Sequence, residues 1–274
     1  MSLFEAIILA VVQGLTEFLP VSSSGHLVLF SHLLGVNEPT ITYEILVHFG
    51  TLVAIFVAFW PDILSLVNAG LLVLRNPLRL KELCKSDPAV RVLLAIIVGT
   101  MPTVFVALAT RDLILSLFQS PQITGYMLII TGTIIYLTDR VTKGGKPLEQ
   151  VDVKAGLVIG IGQTLAILPG ISRSGTTIGT GLLMGLDRES AARFSFLLTI
   201  PAILGAMVLA FDDLFVAQTV ITPLWILAVG TVVSAITGYF AIKLLLQFVR
   251  RGRLIVFSYY TWAVGLLIVL LRFS

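Results

Sequence analysis

QGLTEFLPVSSSGH, residues 13–26, begins as a helix-period apolar run and turns polar where a membrane helix should be deepest. Moved forward by 150 positions it falls on QTLAILPGISRSGT, residues 163–176, and the register holds on both sides of the break. Gln13 recurs as Gln163, Leu15 as Leu165, Ser22 as Ser172, Ser24 as Ser174, Gly25 as Gly175, Leu33 as Leu183 and Gly35 as Gly185. Seven identities in a window of 23 exceed the roughly one or two that ordinary residue frequencies give. The reactive positions differ: Glu17, Ser23 and His26 stand opposite Ile167, Arg173 and Thr176. One duplicated scaffold thus carries two complementary halves of one site.

Hydrophobic residues fill 57% of the 274 positions and charged ones 12%. That excludes a soluble core with a solvated surface and makes the chain a polytopic membrane protein. Its apolar runs extend to about twenty residues at helical spacing, where a strand barrel would alternate over about ten, so the class is all-α. Glu5 and the lack of a basic, cleavable start argue against a removable signal peptide. A single cysteine, Cys84, excludes an intrachain disulfide or a cysteine metal cluster and reads as inert. The net charge is +3 with pI near 9.1, but Lys and Arg gather in a few loops. That is the pattern of membrane orientation and not of nucleic-acid binding.

The spacing predicts a helix over 3–19, a break at Pro20 and a second helix over 24–34. That second piece rises only about 16 Å, too little to recross a hydrocarbon core about 30 Å thick, so the pair reads as a re-entrant hairpin. About six spans are expected, over 41–60, 89–110, 121–137, 191–210, 223–248 and 254–271, with a second hairpin over 151–186. A turn over 37–40 follows the first hairpin, and a short continuation of the first span, past Pro61 and Asp62, reaches Arg75. Basic residues fall in three loops: Arg75, Arg79, Lys81, Lys85 and Arg91; Arg140, Lys143, Lys146 and Lys154; Arg250, Arg251 and Arg253. Placing these loops on one side requires the second hairpin to return to the side it entered, with Asp212, Asp213 and both termini opposite. Each half, about 1–140 and 151–274, then holds one hairpin and three crossings. Three is odd, so the halves are upside down relative to each other: an inverted-topology repeat within a single integral membrane domain.

Each polar cluster lies just before a short helix, whose first N–H groups have no intrahelical partner. Ser22, Ser24 and Gly25 from one copy, with Ser172, Ser174, Thr176 and Thr177 from the other, then ring two opposed helix N-termini as an anion pocket. Helix capping is the competing reading of any one of these serines. Arg173 inside the membrane needs a negative partner, either two phosphate oxygens or an internal ion pair with Glu17 or Glu44. The two roles coexist if the pair opens for substrate. Glu17 lies one turn after Gln13, so both face one point and offer oxygen to a hard cation. With the arginine, the histidine and the hydroxyls, that suggests metal-assisted phosphoryl transfer. Glu44, in TYEILVHFG, is an ionisable group placed to stand behind the site. His32 and His48 read as hydrogen-bonded helix histidines, whereas His26 follows SSSG directly and reads as functional.

Four segments carry a family resemblance: Gln13 to Glu17 as (Glu/Gln)-x-x-x-Glu, FLPVSSSGH at 18–26, PGISRSGTT at 169–177 and FSFLLTIPAILGA at 194–206. Through them essentially the whole chain resembles the BacA-type undecaprenyl diphosphate phosphatases of bacteria. Gln13 is within that family's pattern but leaves one carboxylate instead of two for a cation. The resemblance implies removal of the terminal phosphate of undecaprenyl diphosphate, with undecaprenyl phosphate returned to cell-wall peptidoglycan synthesis. It also implies a divalent cation, Mg2+ or Ca2+, bacitracin resistance on overproduction, and a plasma-membrane site open to the outer face.

On that basis Arg173, the Ser172 and Ser174 hydroxyls and nearby N–H groups are expected to hold the diphosphate, with Glu17 positioning the cation. Ser23 or a water attacks phosphorus and His26 transfers the proton. The rival is a lipid-carrier flippase or anion transporter, since transporters also use inverted repeats with broken helices. Glu17 with His26 and Arg173 favours hydrolysis, which needs acid–base chemistry that a carrier does not.

Overall fold

The computed structural model describes residues 1–36, 41–118, 120–141, 145–209 and 222–271, and among them the chain is helical, with one isolated bridge between Lys146 and Leu186. The first helix, α1 (Leu3–Phe18), starts on a capping box: Glu5 N donates to Ser2 Oγ at 3.3 Å and Ser2 N to Glu5 Oε2 at 2.8 Å. Two amides that the helix leaves unpaired are thereby satisfied. It stops two residues before Pro20, which lacks the N–H a further turn needs. The short helix α2 (Ser23–Leu34) is capped by Ser22 and ends at Gly35, whose φ of 64° is open to a residue without Cβ.

Beyond the undescribed residues 37–40, α3 (Ile41–Ala58) and α4 (Trp60–Arg75) meet at an 88° bend. Pro61 opens α4, where a missing N–H costs nothing. Then come α5 (Leu80–Ser86), α6 (Pro88–Ala109), α7 (Arg111–Phe118) and α8 (Pro121–Asp139). The second half repeats the break. Here α9 (Val153–Thr164) tightens into a 3-10 turn, Leu165–Ile167, and a capping Ser172 opens α10 (Arg173–Leu183). The chain ends with α11 (Arg188–Leu209), α12 (Leu224–Arg250) and α13 (Ile255–Leu271).

Among the described residues α6, α11 and α12 are long and apolar enough to cross a membrane, and the bent α3–α4 pair makes a fourth candidate. The expected spans at 121–137 and 254–271 appear as α8 and α13, of 19 and 17 residues, and neither is among the helices long and apolar enough for a full crossing. The helix α7 was not anticipated from the sequence. The 37–40 turn, Lys143, Asp212 and Asp213 lie outside the described residues. The chain is an all-α polytopic membrane protein, and Phe105, Val208, Phe240 and Leu270 turn outward as a lipid-facing surface.

The halves pack reciprocally. The first broken helix, α1, lies on α12, the second, α9, lies on α6, and α8 lies on α13. Small residues let these backbones touch, as packing between helices in lipid requires. A Cβ at Gly160 would run into the Gly99 backbone, and one at Gly265 would sit 2.7 Å from the Gly125 carbonyl.

Around the start of α11 several segments meet, and Asp87, Pro88 and Ala89 share a cavity wall with Leu148 and Glu149. Arg188 bridges to Asp139 at 2.6 Å, Arg250 to Glu189 at 2.7 Å and Arg193 to Asp62 at 2.6 Å. The segments entering and leaving the second broken helix are themselves bonded, Lys146 N donating to Gly185 O at 3.1 Å and Asp187 N to Lys146 O at 2.9 Å. The chain therefore comes back to where it departed.

Candidate active site

Both breaks leave a serine whose hydroxyl takes up a free amide. Gly25 N donates to Ser22 Oγ at 3.4 Å and Gly175 N to Ser172 Oγ at 3.1 Å, so the capping reading holds for these two. Each capping hydroxyl also lies 3.2 Å from the serine two residues on, Ser24 or Ser174. Those second serines cross to the other copy. Gly170 N donates to Ser24 Oγ at 3.3 Å and Ser174 Oγ donates to the Leu19 carbonyl at 3.1 Å. From α8, Thr131 Oγ1 accepts from Ser172 N at 3.0 Å and donates to Gly170 O at 2.8 Å, fixing the second tip.

At the junction Arg173 Nη2 donates to Glu17 Oε1. The other carboxylate oxygen, Oε2, accepts from Ser23 Oγ at 2.6 Å and from Gln13 Nε2 at 2.9 Å. The Glu17 side chain is 4% exposed and that of Arg173 19%, so two opposite charges share a site nearly shut off from solvent. Directly beneath, Phe18 packs edge-on to Phe196 with ring centroids 5.5 Å apart, in the main apolar core.

A cavity of about 370 Å³ opens over this pair. Its polar wall includes Thr16, Glu17, Ser22, Ser23, Ser24, Glu44, His48, Ser172 and Arg173, and its apolar wall is Ile45 from α3, Ala166 and Ile171 from the second tip, and Ala202, Ile203, Ala206 and Met207 from α11. A hydroxyl-rich, arginine-bearing floor beneath an aliphatic wall suits an anion attached to a hydrocarbon.

Not every residue singled out in the sequence lines this cavity. His26 is 1% exposed and both ring nitrogens are engaged: Nδ1 lies 2.8 Å from the Ser22 carbonyl and Nε2 2.8 Å from the Tyr260 hydroxyl. Its ring runs back along α2 to Ser22 and across to Tyr260, so both nitrogens are engaged away from Ser23. The Ser23 hydroxyl instead donates to Glu17 Oε2.

The hydroxyls of Thr176 and Thr177 return to backbone carbonyls one turn earlier, and Thr177 also meets Ser195 at 2.6 Å. Ser174 is spent on Leu19, and Gly25 packs against Leu128. These four support the tips from behind the cavity wall. Gln13 also stands behind Glu17, and its Oε1 is buried without a hydrogen-bond partner.

His48 is a hydrogen-bonded helix histidine, as its sequence setting implies, and it also lines the cavity. Its Nδ1 sits 2.7 Å from the Glu44 carbonyl, and because a carbonyl only accepts, Nδ1 carries the hydrogen. Its Nε2 then faces the cavity, 3.9 Å from Glu17 Oε2. The available signal was spacing: His48 follows Glu44 by four positions and so shares its helix face.

The family model described as bacitracin resistance protein BacA matches residues 6–267. A protein named undecaprenyl-diphosphatase from Halothermothrix orenii is 41% identical over 272 residues, covering 99% of this chain and 98% of its own. Relatives of the same name from Desulforapulum autotrophicum and Methanobrevibacter smithii are 43% and 42% identical, covering 100% and 98% of this chain and 99% and 97% of their own.

Proposed function

Because the chain belongs to the bacitracin resistance protein BacA family, we propose that its Glu17–Arg173 cavity removes the terminal phosphate of undecaprenyl diphosphate. The chain is a membrane-embedded hydrolase of that lipid diphosphate. Releasing undecaprenyl phosphate returns the carrier to peptidoglycan synthesis, and depleting the diphosphate form, as its family's description implies, gives bacitracin resistance. The observation that carries the reading is the meeting of Glu17, Ser23 and Arg173 at one cavity with an aliphatic wall.

The chemistry follows from the hydrogen bonds. Arg173 exchanges the Glu17 carboxylate for phosphate oxygens, which its planar fork can hold two at a time. Glu17 is then free to take the proton of Ser23, already pointed at it at 2.6 Å, as Ser23 Oγ attacks the terminal phosphorus. The bond to the bridging oxygen breaks, and Glu17 returns that proton to the departing lipid phosphate, which restores its carboxylate. Water cleaves the phosphoserine, and Glu17 serves again as base.

Among the described residues no three His, Cys, Asp or Glu side chains are grouped to enclose a metal ion. The unpartnered Gln13 Oε1 beside the Glu17 carboxylate nevertheless supplies hard oxygen donors. Glu17 and Gln13 would be the residues to hold Mg2+ or Ca2+ by oxygen. When bound, such an ion neutralises phosphate charge.

The reciprocal packing of α1 on α12 and α9 on α6, with the clasped tips, supports reading the chain as two inverted halves, about 1–140 and 151–274, with re-entrant hairpins. The confinement of Lys and Arg to three loops supports a plasma-membrane orientation with those loops inside, and the family resemblance is what favours a cavity open to the outer face. Purified protein with undecaprenyl diphosphate and a divalent cation should release inorganic phosphate. Transfer of intact diphosphate across vesicles with no phosphate released would replace hydrolysis by carriage.

A further inference from the structure

Tyr260 lies on α13, 45% exposed and absent from the cavity wall. Its hydroxyl nevertheless reaches the buried ring of His26 on α2, with Nε2 2.8 Å away and the two rings nearly parallel, centroids 5.5 Å apart. On the other side of the same imidazole, Nδ1 is 2.8 Å from the Ser22 carbonyl, which also accepts from His26 N at 3.2 Å. A carbonyl can only accept, so Nδ1 carries the hydrogen. The neutral ring then has Nε2 as acceptor, and Tyr260 is the donor.

Ser22 is where these bonds matter. Among the described residues it is the one non-glycine with positive φ, at 71°. A residue with Cβ stays there only when its surroundings hold it. The next residue is Ser23, whose hydroxyl that bend delivers to Glu17 Oε2.

We propose that Tyr260 is a positioning residue for the hydrolytic site, holding the His26 tautomer and ring so that His26 clamps the strained Ser22 carbonyl and Ser23 stays aimed at Glu17. The C-terminal helix thereby acts on the first broken helix, 234 positions away, without touching substrate. The inference rests on the hydrolytic reading above and deepens it. Loss of the hydroxyl frees the ring to take the other tautomer or turn over, releasing Ser22 without changing the cavity's binding surfaces.

The test is steady-state phosphate release by the purified full-length protein, with Tyr260→Phe, His26→Ala and the double variant beside the wild type. Tyr260→Phe should lower kcat about tenfold or more with KM within about twofold, since the bond helps only the reacting geometry. The double variant should be no slower than His26→Ala alone, because both changes break one chain of contacts. Should Tyr260→Phe unfold in detergent, 4-aminophenylalanine at position 260 restores a donor on the same ring and should recover most of kcat. Wild-type turnover with an unchanged Tyr260→Phe overturns the inference alone, as does a loss that multiplies with that of His26→Ala. A wild type that releases no phosphate overturns the hydrolytic reading with it.

Discussion

The guanidinium of Arg173 donates from Nη2 to Oε1 of Glu17, joining residues 156 positions apart at the point where the two broken helices meet. Neither charge is tolerable alone in so enclosed a place. Each copy of the duplicated scaffold therefore depends on the other before any substrate arrives.

Arg173→Ala leaves the Glu17 carboxylate enclosed without its counter-charge. Removing one partner of a buried pair costs about 3–5 kcal/mol, and the partial exposure of Arg173 places this pair toward the lower figure. Phosphate release should fall by about a thousandfold or more, the range for losing an arginine that stabilises phosphoryl-transfer charge. Arg173→Lys keeps the charge but not the planar fork, so it should fold normally and turn over slowly. Thermal unfolding in detergent and phosphate assays read the two effects separately, and near-normal turnover by Arg173→Ala would remove it from the chemistry.

Ser23 is the one cavity hydroxyl bonded directly to the Glu17 carboxylate among the described residues. With substrate labelled in its terminal phosphate, an acid-quenched single turnover should leave label on Ser23. Ser23→Ala should lose both label and turnover. A wild type that never carries label, beside a Ser23→Ala variant that keeps substantial activity, would assign attack to water.

The lone amide oxygen of Gln13 bears on the cation. Chelation should abolish turnover and added Mg2+ or Ca2+ restore it, because one carboxylate and one amide bind a hard ion weakly without substrate. Gln13→Glu adds a charge at that oxygen and should lower the cation concentration giving half-maximal rate. Gln13→Leu should raise it. No response to chelator would leave the charge neutralisation to Arg173.

His48 turns Nε2 toward Glu17 at 3.9 Å, with its other nitrogen tied to the Glu44 carbonyl. His48→Ala should reduce kcat/KM about 10- to 100-fold, the lower range for a group that shares in proton handling. His48→Gln keeps a polar side chain and should retain more. Equal activity in both would make the residue a wall and nothing more.

The helical membrane class was legible in composition, and the two breaks were legible in the repeat of Gln13 to Gly25 as Gln163 to Gly175. The ion pair was legible because a membrane arginine must find an acid. What was not legible depended on direction around a helix axis. His26 adjoins SSSG in sequence, yet the helical turn carries its ring back to Ser22 and across to Tyr260, and spacing alone cannot show where a side chain from a distant helix arrives. Thr176 and Thr177 were hidden similarly, since a hydroxyl in the first turn of a helix is as able to bond its own backbone as a ligand. His48 reads from sequence as a hydrogen-bonded helix histidine, which it is, and only the folded packing shows that its other nitrogen also lines the cavity near Glu17.

The last expectation concerns the tail. Ala202 and Ala206 lie four apart on α11, hence on one face, and with Ile45 opposite they form the aliphatic wall of the cavity. Alanine leaves room there that a large side chain would fill. Ala206→Trp should therefore exclude a polyprenyl chain while leaving Glu17, Ser23 and Arg173 in place. Hydrolysis of undecaprenyl diphosphate should fall at least tenfold in kcat/KM, with a smaller loss for a diphosphate on a short, soluble alkyl chain. Discrimination of roughly 1–3 kcal/mol is what one reshaped apolar contact supplies. Equal loss on both substrates would mean the wall shapes the catalytic floor and does not select the lipid.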